Sequence, residues 1–186
     1  IPEGVTEIAS HAFNDYTWLT SITLPKSLRK IGGGAFDECN NLSEVHISDI
    51  VAWCEIEFES YSSNPLRYAK NLYVNGELFE NFVLPEGVTE IVNSAFKYCR
   101  SLTSITLPKS LRKIGENAFY ECGGLTEIII PEGVTEIAAD AFCNCNNLIS
   151  ITLPKSLRKI GEYAFYGCTG LTTIIIPEGV TEIATS

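Results

Sequence analysis

Apolar and polar positions follow one fixed order along this chain. Over residues 102–124, Leu102, Ile105 and Leu107 carry a spacing that turns three aliphatic side chains inward from a short strand. Thr103, Ser104 and Thr106 then face outward. Pro108 ends the strand and presets φ for a turn. Leu111 and Ile114 point inward from a second extended piece, with Arg112 and Lys113 in solvent, and Gly115 breaks it. Ala118 and Phe119 follow in a segment too short for a stable α-helix by itself, so one turn of helix or 3₁₀-helix is expected there.

The same order returns every 23 residues. Proline stands at Pro2, Pro25, Pro85, Pro108, Pro131, Pro154 and Pro177, and all but one of the gaps are 23. Such self-similarity marks a solenoid, in which each unit buries its apolar side only against its neighbours. A length of 186 residues gives about eight rungs, one core and no second domain. Ala-Phe recurs six times, at Phe13, Phe36, Phe96, Phe119, Phe142 and Phe165, and core packing is the expected role of these rings. The third turn position alternates Gly (Gly87, Gly133, Gly179) with Ser (Ser110, Ser156), which predicts type I turns rather than type II.

The combined pattern, L-x-x-I-x-(I/L)-P-x-x-(V/L)-x-x-I-x-x-x-A-F-x-x-C, resembles the BspA-like (treponemal-type) leucine-rich repeat over essentially the whole chain. The resemblance implies an α/β-class leucine-rich repeat solenoid, horseshoe-like and β-dominated, with short helical or 3₁₀ turns, in one domain over residues 1–186. It also implies a cell-surface or secreted adhesion module of bacteria, with host matrix or other cell-surface proteins as partners. It carries no shared catalytic residues.

A second period lies over the first. Pro-Glu-Gly-Val-Thr-Glu-Ile (from Pro2, Pro85, Pro131 and Pro177) alternates with Pro-Lys-Ser-Leu-Arg-Lys-Ile (from Pro25, Pro108 and Pro154), so the chemical repeat is 46 residues. Stacking predicts one charge column of Glu86, Lys109, Glu132, Lys155 and Glu178, and another of Glu90, Lys113, Glu136, Lys159 and Glu182. Exposed pairs are worth only ~0.2–1 kcal/mol each, but alternation removes the repulsion that identical rungs would suffer and disfavours a one-rung slip.

The pattern breaks between Pro25 and Pro85, which are 60 residues apart, 14 more than two rungs need. Residues 48–84 are read as an enlarged rung with a β-hairpin insertion. Within it, Cys54–Glu59 alternates apolar and acidic residues, as in a strand with one wet face. Ser62 to Pro65 is a turn cluster, and Asn75-Gly76 between Leu72 and Phe79 is a type I′ hairpin signal. Trp53, Phe58, Tyr61, Tyr68 and Tyr73 make the insertion aromatic-rich. Either the rings seal the enlarged rung, or they form a protein-contact site of the kind repeat insertions supply.

The outward strand positions are the other candidate protein-binding surface. Thr106 and Thr152 share a column with Val83, Ile129 and Ile175, and Glu44 and Glu127 lie beside it.

Charge and cysteines narrow the field. The net charge is −10, and nine of the thirteen basic residues sit in the three Pro-Lys heptapeptides, which leaves no basic stripe to track a nucleic acid. Five of the seven cysteines (Cys39, Cys99, Cys122, Cys145 and Cys168) hold one repeat position and are expected to stack as buried free thiols. Only two histidines, His11 and His46, accompany the Cys143/Cys145 pair, so neither a zinc site nor another cofactor is expected. No nucleophile, base and orienter converge, so an enzyme is not expected. No apolar run reaches the ~20 residues of a membrane span. The chain starts and stops mid-repeat and is read as a piece of a longer protein, whose open end rungs could pair end to end.

Overall fold

Two extended pieces per rung stack on their equivalents one period away, and this sets the sheets. The computed structural model describes residues 1–184. They fall into two compact units, one ending at Phe79 and one beginning at Glu80.

In the first unit, β1 (Glu7–Ile8), β3 (Lys30–Ile31) and β5 (Glu57–Phe58) form one parallel sheet, ordered β1-β3-β5. A second sheet runs β2 (Ser21–Thr23), β4 (Glu44–Ile47), β6 (Asn71–Val74) and β7 (Glu77–Leu78). Its last pair is antiparallel. The two short helices, α1 (Ile50–Trp53) and α2 (Leu66–Ala69), both belong to the enlarged rung.

The second unit is regular. Its first sheet consists of β8 (Asn81–Val83), β10 (Ser104–Thr106), β12 (Glu127–Ile129) and β14 (Ser150–Thr152), all parallel. Its second consists of β9 (Glu90–Ile91), β11 (Lys113–Ile114), β13 (Glu136–Ile137), β15 (Lys159–Ile160) and β16 (Glu182–Ile183). The register pairs Ile105 with Ile128 and Ile128 with Ile151, all buried, as the inward reading requires.

The Ala-Phe segment departs from the expected helical turn. Asn117, Phe119 and Glu121 send their N–H groups to the carbonyls of Ala139, Ala141 and Cys143 in the next rung, at 3.1, 2.8 and 2.9 Å. The intervening N–H groups of Ala118, Tyr120 and Cys122 bond three residues back within the rung. A helix would consume every donor internally. Here every second donor is needed for the neighbour, and the backbone alternates accordingly, with left-handed φ at Asn117 (56°) and Glu121 (54°). The Phe rings stack as expected. Phe96, Phe119, Phe142 and Phe165 follow one another at 5.5, 5.2 and 5.7 Å, and Phe13 lies 5.3 Å from Phe36 in the first unit.

The cysteines are free and buried. Cys122, Cys145 and Cys168 donate their S–H groups to the carbonyls of Phe96, Phe119 and Phe142 at 3.0–3.1 Å. Burial raises the Cys122 pKa well above its ordinary value.

The turns differ between alternate rungs. Gly4, Gly87 and Gly133 adopt φ of 96°, 106° and 103°, the type II sign, while Gly179, Ser27, Ser110 and Ser156 stay outside the left-handed region. The uniform type I expectation is corrected by what each serine does. Ser110 Oγ accepts from Gly87 N–H (3.1 Å) and donates to the Val88 carbonyl (2.9 Å), which fastens the preceding turn. Ser156 does the same for Gly133 and Val134. Arg112 folds back onto the carbonyls of Lys109 and Leu111, both at 2.8 Å, and its guanidinium occupies the space where a Cβ on Gly133 would stand 2.7 Å away.

Three contacts of one charge column form as expected. Lys113 meets Glu90 at 2.6 Å, and Lys159 lies 3.5 Å from Glu136 and 3.4 Å from Glu182. The other column is rerouted. The Glu86 carboxylate accepts from the backbone N–H groups of Lys109 (3.1 Å) and Ser110 (3.2 Å), and Glu132 does so from Lys155 and Ser156. These N–H groups hold both carboxyls below the usual carboxylate range. A turn N–H is fixed in place whereas an ammonium on a long side chain is mobile, so the backbone holds the carboxylate.

Candidate protein-binding surfaces

The strand face of the second unit is built by alternation along each strand. Ser104, Thr106, Glu127, Ile129, Ser150 and Thr152 point away from the buried isoleucines between them. Register places Val83, Thr106, Ile129 and Thr152 in one row across the sheet, with Glu127 beside it between Ser104 and Ser150. Val83 and Ile129 are each 68% exposed and Ile175 is 81% exposed, which is high for aliphatic side chains of this size. Two open grooves lie on this face. One of about 520 Å³ includes Thr106, Lys109 and Ile129, and one of about 840 Å³ includes Thr152, Lys155 and Ile175.

In the first unit the corresponding row is Thr23, His46, Tyr73 and Leu78. His46 stacks on Tyr73 with ring centroids 4.7 Å apart, and its Nε2 lies 2.9 Å from Glu44 Oε2. Two residues read separately from sequence, Glu44 and Tyr73, are thus joined by His46, which was not singled out. Its outward position on a strand next to the insertion was the available signal.

The insertion's aromatics separate into different roles. Trp53 is 1% exposed and meets the Phe58 ring edge-on at 5.6 Å, so it seals the rung and offers no contact surface. The reason is α1. Asp49 caps it by accepting from Val51 and Ala52 N–H at 2.9 and 3.1 Å, and the helix turns Trp53 inward. The expected strand over Cys54–Glu59 therefore shrinks to the two residues of β5. Burial pushes the Cys54 thiol up to about 12. Tyr68 accepts the Glu38 N–H at its hydroxyl, 3.1 Å, and packs on the Arg67 guanidinium. The Arg67 Cζ also lies 5.2 Å from the ring centre of Tyr61, which is 65% exposed, and Arg67 stands 3.7 Å from Asp37. The hairpin matches its signal, with φ of 52° at Asn75 and 84° at Gly76, as type I′ demands.

Among the described residues no His, Cys, Asp and Glu cluster could hold a metal ion, and no helix is long and apolar enough to cross a membrane.

Known proteins were compared with this architecture. The profile of the BspA type Leucine rich repeat region matches residues 1–67 and 67–186, in six copies. The chain belongs to the BspA-type leucine-rich repeat family. Among solved structures, this BspA-type chain is similar to a leucine-rich repeat protein from Bacteroides ovatus, with 28% identity, a TM-score of 0.57, and coverage of 92% of this chain and 40% of that one. It is also similar to the Treponema pallidum leucine rich repeat protein (27%, TM-score 0.47, 91% and 74%). A leucine rich cell surface protein from Faecalibacterium prausnitzii gives 28%, TM-score 0.47, 100% and 52%. The chain thus spans less than half of the Bacteroides ovatus protein. No curated protein matches.

Proposed function

We propose that residues 1–186 are one repeat domain of an extracellular, protein-binding adhesion module on a bacterial surface, and that it contacts host or other cell-surface proteins through the strand face of the second unit. The observation that carries this reading is the pair Val83 and Ile129, both exposed in one row across the sheet. Aliphatic groups gathered on one sheet face and rimmed by polar residues mark interaction sites in soluble proteins. Membership in the BspA-type family supports the surface location, which the resemblance implies for such repeats. The reading assigns no catalytic residue and no cofactor.

Tyr61 supports a second contact point in the insertion, since it is exposed and its backing by Arg67 limits its freedom. A passive spacer is the alternative, favoured by the near-identity of the regular rungs.

The test is capture of matrix proteins and mucins by the intact chain, by a Val83→Glu/Ile129→Glu variant and by a Tyr61→Ala variant. The expected result is capture by the intact chain and by Tyr61→Ala, with loss in the strand-face variant. Loss confined to Tyr61→Ala moves the site to the insertion. Absence of capture by all three at micromolar concentration leaves the spacer.

A further inference from the structure

β14 ends its sheet, although the chain continues into a further rung. Residues 171–177 keep the repeat pattern, with Leu171, Ile174, Ile176 and Pro177 standing 23 positions after Leu148, Ile151, Leu153 and Pro154. Both flanks of this segment are in register. Gly170 donates its N–H to the Asn146 carbonyl at 3.0 Å, and Thr181 donates to that of Arg158 at 2.9 Å. Between these anchors the segment forms no strand, and among the described residues no backbone hydrogen bond ties it to β14.

The equivalent rungs 46 residues earlier show what is missing. There β10 pairs with β12 in full register, and the groove over them is about 520 Å³. The same groove over β14 and residues 173–179 opens to about 840 Å³. Between β12 and β14, the Thr126 carbonyl accepts the Ile149 N–H at 2.8 Å and the Ile130 N–H reaches the Thr152 carbonyl at 2.9 Å. Their counterparts on β14, the Ile149 carbonyl and the Leu153 N–H, form no such bonds among the described residues. The aliphatic floor is uncovered as well. Ile130 is buried, whereas Leu153 is half-buried and Ile176 is 38% exposed.

This opening selects its occupant by two features. Free backbone groups along one wall bond only a chain that keeps step with β14, at ~3.3 Å per residue. The floor takes every second side chain, and a polar group there would lose its water without gaining a partner. Charge does not discriminate, because Lys155 and Glu178 both line the groove.

We propose that the free edge of β14 accepts an extended segment of a partner protein as an added parallel strand, with an aliphatic side chain at every second position. The added strand bonds the Ile149 carbonyl and the Leu153 N–H, and its aliphatic groups cover Leu153 and Ile176. Residues 171–177 are the competing occupant. The inference rests on the protein-binding reading above and adds to that face a backbone contact at its edge.

The experiment combines amide exchange of the whole chain, read by NMR, with fluorescence anisotropy of labelled Lys-Thr-Val-Thr-Val-Thr-Lys. In the free chain the Leu153 amide should exchange at least about tenfold faster than that of Ile130, and saturating peptide should slow Leu153 while leaving Ile130 unchanged. The peptide should bind at least about tenfold tighter than Lys-Val-Val-Thr-Thr-Thr-Lys, which lacks the alternation, and than a form N-methylated at its threonines, which lacks the donors toward β14. Thr152→Cys/Ile175→Cys, oxidised to join residues 171–177 to β14, should lose binding and recover it on reduction. No binding of the alternating peptide, equal binding of the N-methylated form, or unchanged binding in the oxidised variant overturns the inference. Slow Leu153 exchange without peptide also overturns it and gives the edge to residues 171–177. If protein capture still falls with Val83→Glu/Ile129→Glu in any of these cases, the protein-binding reading stands without this edge. If the intact chain captures nothing, that reading fails as well.

Discussion

The first unit and the second are made from the same rung, yet they satisfy their backbones in different ways. In the second unit, register supplies the partners. Asn117 finds Ala139 and Ile105 finds Ile128 because the chain repeats. In the enlarged rung of the first unit, side chains take over that work. Asp49 caps α1, Asn64 Oδ1 accepts the Leu66 N–H at 2.9 Å, and Ser63 Oγ accepts the Ser60 N–H at 2.9 Å. Glu59 bonds Gly33 N–H at 2.8 Å across rungs. Ser63 and Asn64 are fully buried polar groups, which is tolerable only because each is bonded. Repetition makes bonding automatic, whereas an interruption needs specific polar residues at every loose end.

That contrast can be broken at several depths. Phe119→Ala removes a ring stacked on both sides and should lower unfolding free energy by ~3–5 kcal/mol. Trp53→Ala, which removes the largest buried ring of the insertion, is expected to fall in the same range. Urea denaturation measures both. A larger loss for Trp53 would make the insertion, and not the regular stack, the main source of stability.

Two left-handed glycines give a sharper pair. Gly133→Ala strains φ and meets Arg112, so ~1–3 kcal/mol is expected. Gly76→Ala has the same strain with nothing within 4 Å, so ~1 kcal/mol is expected, which thermal melts can resolve. Equal losses would show that the Arg112 contact contributes nothing.

The smallest effect is acid sensitivity. Glu86 and Glu132 have folded pKa values lowered by the N–H groups of Lys109 and Lys155, and Glu59 by that of Gly33. Their stabilisation is complete above the unfolded value of ~4.3 and is lost as pH falls through the lower folded values. Glu86→Gln/Glu132→Gln should therefore flatten the fall of Tm below about pH 4.3. Glu59→Gln should do the same from the first unit. An unchanged acid limb in either variant would remove that carboxylate from the account.

Much of the fold could be read before any coordinates. The spacing of Leu102, Ile105, Leu107, Phe119 and Cys122 identified the buried side of each rung, because a solenoid has one inside and the period preserves it. Asn75-Gly76 specified its hairpin because few residues adopt two consecutive positive φ angles. What escaped depended on competition between partners. Glu86 could meet an ammonium or an N–H group, and composition does not rank them. Cys54 to Glu59 fits a strand by alternation, but Asp49 supplies a cap that starts α1 just before it and leaves only Glu57–Phe58 extended. His46 looked isolated because Tyr73, its stacking partner, is 27 positions away and one strand over. Among the site residues, Thr106, Thr152 and Glu127 lie on the face where alternation placed them, while Trp53 takes the sealing role, one of the two left open because aromatic content does not say which way a ring points.

The serine that fastens the turn before it, and the arginine that fills the gap beside the glycine after it, make odd and even rungs non-interchangeable. Duplication of a serine-type segment, or loss of a glycine-type one, would set serine against serine and arginine against a side chain, and the converse would leave a glycine turn without its serine. A gene of this kind can therefore lengthen or shorten its product without strain only in blocks of two, so recombination between copies should leave lengths that differ by 46 codons.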